Sequence, residues 1–251
     1  MEYLTTHLED AWRDLWQVFG TRESWTSEKA KCKDIQQRLS YFNSLHSDDP
    51  DSIDDVIQAL SRGFYLIKSA LEWYEPAVGH KSTDQLNDIH KARGIQWRLV
   101  MAYNGFEMIT NTLLINEKYL TPETIKSFTN KCHLPDYSSL NPPVATRVNL
   151  EKWLNKPSLE KKSALADFLS VGNGDKTIIE EWIVKSTPVS TWVDAVRLTK
   201  AIRNATAHGA LSPSKVNQWG LQKPLLTLSN NLGEIVVASI LKLVYQQSYV
   251  H

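Results

Sequence analysis

Between residues 95 and 113 the apolar side chains fall at Ile95, Leu99, Ala102, Phe106, Ile109 and Leu113, stepping by four, three, four, three and four. An α-helix at 3.6 residues per turn brings such a series onto one face. The pattern predicts a long helix from about Thr83 to Tyr119. A helix with such a stripe must bury it against other elements, and the rest of the chain offers further helices for the purpose.

Residues 3 to 19 carry Leu4, Leu8, Trp12, Leu15, Trp16 and Phe19 on one face, with the two tryptophans read as core or interface. Residues 26 to 46 carry Ile35, Leu39, Phe42 and Leu45. "DPDSIDD" reads as a loop and helix start, where Asp and Ser can cap free backbone amides. Ile53, Val56, Ile57, Leu60, Phe64, Ile67 and Leu71 form the next stripe, ending near Pro76 and Gly79. "LTPETIKSF" opens a short helix with Pro at its first position, and "LPDYSSLNPPVA" is a loop. Two or three short helices follow, broken by "VGNGD". Thr187-Pro188 is expected to start a helix that ends at Gly209 and Ser212-Pro213. A final helix is expected from about Pro224 to Tyr249. No run alternates as a strand would, so the predicted class is all-α. The expected organisation is an N-terminal helical extension over 1–80 and a second helical domain over 81–251, with an insertion at about 120–187.

Composition narrows the function classes. Lys plus Arg equals Asp plus Glu at 28 each, so no global field favours nucleic acid or membrane. The balance is local: residues 1–60 hold twelve acids and six bases, whereas Lys185 to Lys223 hold six bases and one acid. The second segment predicts a modest electropositive patch. Cys32 and Cys132 have no CxxC spacing, which gives neither a zinc nor a disulfide framework and suits a reducing compartment. The N-terminus does not read as a secretory signal. The most apolar run, "EIVVASILKLVY", is shorter than the roughly 20 residues a bilayer needs. The expectation is a cytoplasmic protein with no membrane partner. His80, His90 and His133 lie near Asp84, Asp88 and Asp136 without ligand spacing on one helix face, and no phosphate-binding glycine loop is present. No metal and no cofactor is expected.

"TKAIRNATAHGALSP", residues 199 to 213, is where the sequence points to chemistry. Arg203 and His208 are five residues apart, about 140° around a helix axis, so spacing alone does not pair them. A His at a helix C-terminus sits among unsatisfied carbonyls that favour the imidazolium, and its reference pKa of about 6.5 lets it trade protons near neutrality. An Arg offers a planar fork of donors to phosphate oxygens. The plain structural alternative is a surface Arg, a solvated Asn204 and a helix-ending His.

"IRNATAHGAL" resembles the signature of HEPN domains, an all-helical superfamily found in many prokaryotic toxins and defence nucleases. That signature is Arg, a polar residue most often Asn, a short gap and His, matched here by Arg203, Asn204 and His208. "MAYNGFEMITNTLL", residues 101 to 114, resembles the family's earlier core helix, where an apolar residue followed by Glu recurs, and Glu107 is the match. The resemblance covers the helix over 83–119 and the helices over 188–250; about 90 residues separate the two motifs. In one branch of the family, which pairs with nucleotidyltransferase antitoxins, a Tyr follows two positions after the His; here that residue is Ala210.

The resemblance implies a HEPN-type helical bundle and metal-independent endoribonuclease chemistry, in which the RNA 2′-hydroxyl attacks the adjacent phosphate. His208 would be general base or acid and Arg203 would stabilise the transition state. Asn204 would hold either residue or contact substrate, and Glu107 would orient Arg203. For Glu107 the alternative is a polar stripe with Asn104 and Asn111 that satisfies its own hydrogen bonds. Implied partners are RNA, a second copy in a homodimer and an antitoxin or regulatory protein. The implied setting is toxin–antitoxin or phage defence. The alternative function is a catalytically inactive module of the same fold that binds RNA, a nucleotide or a protein partner.

Overall fold

The computed structural model describes residues 2–73, 88–116, 119–144, 148 and 172–245. The expected helix start at 83–87, His80 and Asp84, the short helices expected between 149 and 171, and the chain after Tyr245 lie outside the described residues. Among those described the fold is all-α, without a strand. In chain order the helices are α1 (Glu2–Phe19), α2 (Arg22–Ser27), α3 (Lys29–Leu39), α4 (Pro50–Glu72), α5 (Asp88–Leu114), α6 (Pro122–Cys132), α7 (Asn173–Ile179), α8 (Trp192–Ala207), α9 (Pro213–Gln218) and α10 (Gln222–Tyr245); a π-helical turn, Glu180–Val184, follows α7.

The residues group into two compact units. The first comprises Met1–Leu71, Asn104–Pro135 and Leu232–His251; the second comprises Glu72–Tyr103 and Asp136–Asn231. Of the four boundaries, two fall inside α5 and α10, one at the last residue of α4 and one after α6.

In the first unit the α1 and α4 stripes bury as their periods predict: Leu8, Leu15, Phe19, Ile53, Phe64 and Ile67 are all at most 2% exposed. Trp12 is core, stacked on Phe64 at 4.3 Å between centroids and 9° between planes. The stretch over 26–46 forms the end of α2, then α3 and a turn after it. Glu28 has extended backbone between them, which places Trp25 in the core beside Trp16. Arg38 donates to the Leu243 and Val244 carbonyls at 3.0 and 2.9 Å, capping the last turn of α10. For α6, Thr121 accepts from the Thr124 amide and Pro122 occupies the first turn, as the sequence indicates.

Gly63 on α4 and Gly105 on α5 meet at backbone distance. A Cβ added to Gly105 would lie 2.7 Å from the Gly63 carbonyl oxygen, and one on Gly63 would lie 2.5 Å from Ile109 Cγ1. Both positions need glycine for space, because a backbone oxygen cannot rotate away.

In the second unit, α8 supplies the centre of the core through Ala195, Leu198, Ala201, Ile202 and Ala205, all at most 2% exposed. Trp182, in the π-helical turn, is fully buried and donates its Nε1–H to the Leu140 carbonyl at 3.0 Å. Leu140 forms an isolated antiparallel bridge with Val189 inside the predicted loop. Arg98 is 2% exposed and donates to Asn230 Oδ1 at 2.6 Å; burial pushes its pKa below the ordinary arginine value.

Two boundaries differ from the sequence reading. The helix expected to run to about Tyr119 ends at Leu114, where Ile115 takes φ +51°. The helix expected from Thr187-Pro188 begins at Trp192, because Thr191 accepts the Asp194 amide and so sets the cap. The break expected at "VGNGD" falls at the start of α7, whose N-cap Gly172 has extended backbone; the chain before it lies outside the described residues.

Gly105→Ala should destabilise the protein by about 2–3 kcal/mol through overpacking, read as a lower urea midpoint at unchanged slope. His46 supplies a pH test. Its Nε2 lies 3.0 Å from the Leu113 carbonyl, and burial lowers its pKa while that bond partly opposes the shift. The unfolded chain, with a pKa of about 6.5, therefore protonates first as pH falls. This contribution to stability is full above about pH 6.5 and is lost on acidification through the depressed folded value. Urea titrations across pH 5 to 8 should show that acid limb flattened in His46→Phe, by about the share this one group contributes.

Candidate functional site

The α8 helix carries its polar residues opposite a continuous apolar face, so Lys200, Arg203 and Asn204 sit on one rim of the second unit. Lys200 and Asn204 are one turn apart and share a side. Both reach Asp175 in the first turn of α7: Asn204 Nδ2 donates to Asp175 Oδ2 at 3.0 Å, and Lys200 Nζ lies 3.8 Å from Oδ1. Arg203 Nη1 in turn donates to Asn204 Oδ1 at 3.0 Å. The Asn204 amide is thus used at both ends, accepting from the guanidinium and donating to the carboxylate.

Arg203 also lies over the ring of Tyr103, with Cζ 5.5 Å from the centroid, within cation–π range. Tyr103 is 1% exposed, so its ring is a fixed floor. Half-buried, stacked and hydrogen-bonded, the guanidinium is held in a narrow range of orientations.

His208 follows as the C-cap of α8, with φ −83° and ψ 2°. Its amide donates to the Asn204 carbonyl at 3.0 Å, and its exposed imidazole has no partner among the described residues. Gly209 then takes φ +73°, with open space where a Cβ would be, so the left-handed backbone rather than crowding calls for glycine. Gln96, 3% exposed, fixes the turn beyond: its Nε2 donates to the Leu211 carbonyl at 2.6 Å and lies 3.3 Å from Thr206 Oγ1.

The structure thus joins Arg203 to Asn204 and sets His208 one turn later at the helix end. Glu107 belongs to the first unit, half-buried on α5, with no hydrogen bond or ion pair among the described residues. The electropositive patch is smaller than the sequence count, because Arg197 pairs with Asp194 at 3.1 Å and Lys200 with Asp175. Sequence reasoning missed Asp175, Tyr103 and Gln96. Asp175 meets Asn204 across 29 positions, a contact that no local pattern records. Tyr103 and Gln96 declare themselves only through contacts over 100 or more positions.

Among the described residues no group of three His, Cys, Asp or Glu side chains is placed to hold a metal ion. The site can grip an anion through a fixed guanidinium and present a solvent-accessible imidazole. No family model, curated protein or solved structure matches the chain.

Asn204→Ala should cost about 1–2 kcal/mol, since it removes one acceptor and one donor from the Arg203–Asn204–Asp175 chain. Asp175→Asn, which keeps an acceptor, should cost less; urea denaturation of both variants gives the comparison.

Proposed function

We propose that the chain is a metal-independent endoribonuclease of HEPN type acting on RNA in the cytoplasm. The observation that supports this reading best is Arg203, held by Asn204 and the Tyr103 ring, with His208 exposed at the end of the same helix. In this reaction His208 takes the proton from the RNA 2′-hydroxyl or delivers one to the departing 5′-oxygen. The 2′-oxygen bonds to phosphorus and the P–O5′ bond breaks, leaving a 2′,3′-cyclic phosphate and a 5′-hydroxyl. Arg203 stabilises the charge that builds on the phosphoryl oxygens, and its fixed orientation limits reorganisation during the step. Asn204 acts through Arg203. The nucleophile belongs to the substrate, so DNA is inert. Two copies in a symmetric dimer would line one cleft with both motifs and double its cationic groups. A toxin or phage-defence role, restrained by an antitoxin or regulatory protein, fits such an activity.

A second reading has an observation of its own. The ion pairs at Arg197 and Lys200 leave fewer cations free to neutralise phosphates, which favours an inactive module binding RNA, a nucleotide or a protein partner.

The test is cleavage of mixed-sequence RNA in chelator, with matched DNA as control. His208→Ala should lower the rate at least ~100-fold, Arg203→Ala by ~100-fold or more, and the products should carry 2′,3′-cyclic phosphate ends. Folded wild-type protein that binds RNA without cleaving it would favour the inactive module.

A further inference from the structure

A cleft of about 460 Å³ opens within the first unit, between the end of α3, the turn at 45–47, the start of α4 and the end of α5. Its volume lies in the range of small-molecule sites, roughly 300–1,000 Å³. The walls are aliphatic at Ile53, Val56, Ala59 and Ile115 and polar at Ser47, Asn111 and Thr112.

His46 gives this cleft a chemical direction. The side chain lines the cleft yet is only 6% exposed, so its ring is held by packing. Its Nε2 meets the Leu113 carbonyl at 3.0 Å. A carbonyl only accepts, so Nε2 carries the hydrogen and Nδ1 presents a bare lone pair. Among the described residues no donor reaches Nδ1, and it is not among the sealed polar atoms. An unpaired acceptor in the wall of a cleft favours a ligand that brings a donor.

The surrounding charges select the sign. Asp55 lines the cleft and is exposed, and among the described residues no Lys or Arg lines it. The adjoining chain adds exposed Asp48 and Asp51. Asp49 is already engaged, accepting from the Ser52 amide at 3.0 Å and from its hydroxyl at 3.1 Å. A carboxylate ligand would meet the Nδ1 lone pair and Asp55 with like polarity, whereas an ammonium satisfies both.

We propose that this cleft is a binding site for a small amphipathic amine. Its ammonium donates to His46 Nδ1 and faces the Asp55 carboxylate, and its hydrocarbon or aromatic body packs against Ile53, Val56, Ala59 and Ile115. The site belongs to the first unit alone and is independent of the ribonuclease reading.

The experiment titrates the full chain with 4-phenylbutylammonium and, separately, with 4-phenylbutyrate, which has the same body and the opposite charge. The readouts are calorimetry and the ring ¹⁵N resonances of His46. The ammonium should bind with a Kd on the order of 1 mM or tighter and shift Nδ1, and the carboxylate should bind at least ~10-fold more weakly. His46→Phe should weaken ammonium binding about fivefold, the loss of one hydrogen bond. Ala59→Phe, or Val56→Phe should the first fail to fold, fills the cleft and should abolish binding. Equal binding of the two probes, ammonium binding unchanged in a folded cleft-filling variant, or no shift at Nδ1 up to the solubility limit would each overturn the proposal.

Discussion

The candidate site rests on the burial of one side of α8. Ala195, Ala201 and Ala205 bring neighbouring elements close, and Leu198 and Ile202 fill the space between them, so the helix cannot rotate without exposing five core residues. That fixes the opposite rim, and with it the directions in which Lys200, Arg203 and Asn204 leave the backbone. The polar chain from Arg203 through Asn204 to Asp175 follows from a helix already held by its apolar face. Gln96 extends the control past the helix end by bonding the Leu211 carbonyl, so the turn carrying His208 is tied at both sides.

Much of this was legible where the determinants are local. The α5 stripe, the Thr121–Pro122 start of α6 and the His208–Gly209 end of α8 depend on residues within a turn or two, and the chain states them directly. Thr191 shows the limit even there: Pro188 is a plausible first-turn residue, but a threonine whose hydroxyl reaches the Asp194 amide sets the boundary three residues later. The contact of Gly63 with Gly105, the Tyr103 floor beneath Arg203 and the carboxylate of Asp175 were not legible. Each joins segments far apart in the chain, and no periodicity within either segment records the meeting.

The last helix shows how composition and environment can part. Gln222–Tyr245 is long and apolar enough to cross a membrane, longer than the run "EIVVASILKLVY", because the helix already begins at Gln222. Yet 67% of its most apolar window is buried inside the protein, and Ser229 and Ser239 on it are fully buried with their hydroxyls returned to backbone carbonyls at 2.8 Å. A helix apolar on nearly all sides is what a core position among other helices demands, as much as a bilayer does.

In the proposed ribonuclease Arg203 and His208 would meet opposite physical requirements, and the fold sets them differently. A group that stabilises developing phosphoryl charge gains from being fixed beforehand, since orientation set during folding need not be purchased in the transition state. Arg203 has that setting, with a buried ring below and an amide beside it. A proton carrier must instead exchange with water between turnovers, which an exposed imidazole at a helix end can do. In the ribonuclease reading, the same exposure leaves the reacting phosphate open to solvent on one side. On that reading, a second copy of the motif closing over the substrate would exclude that water, and dimerisation would then serve the chemistry as well as the assembly.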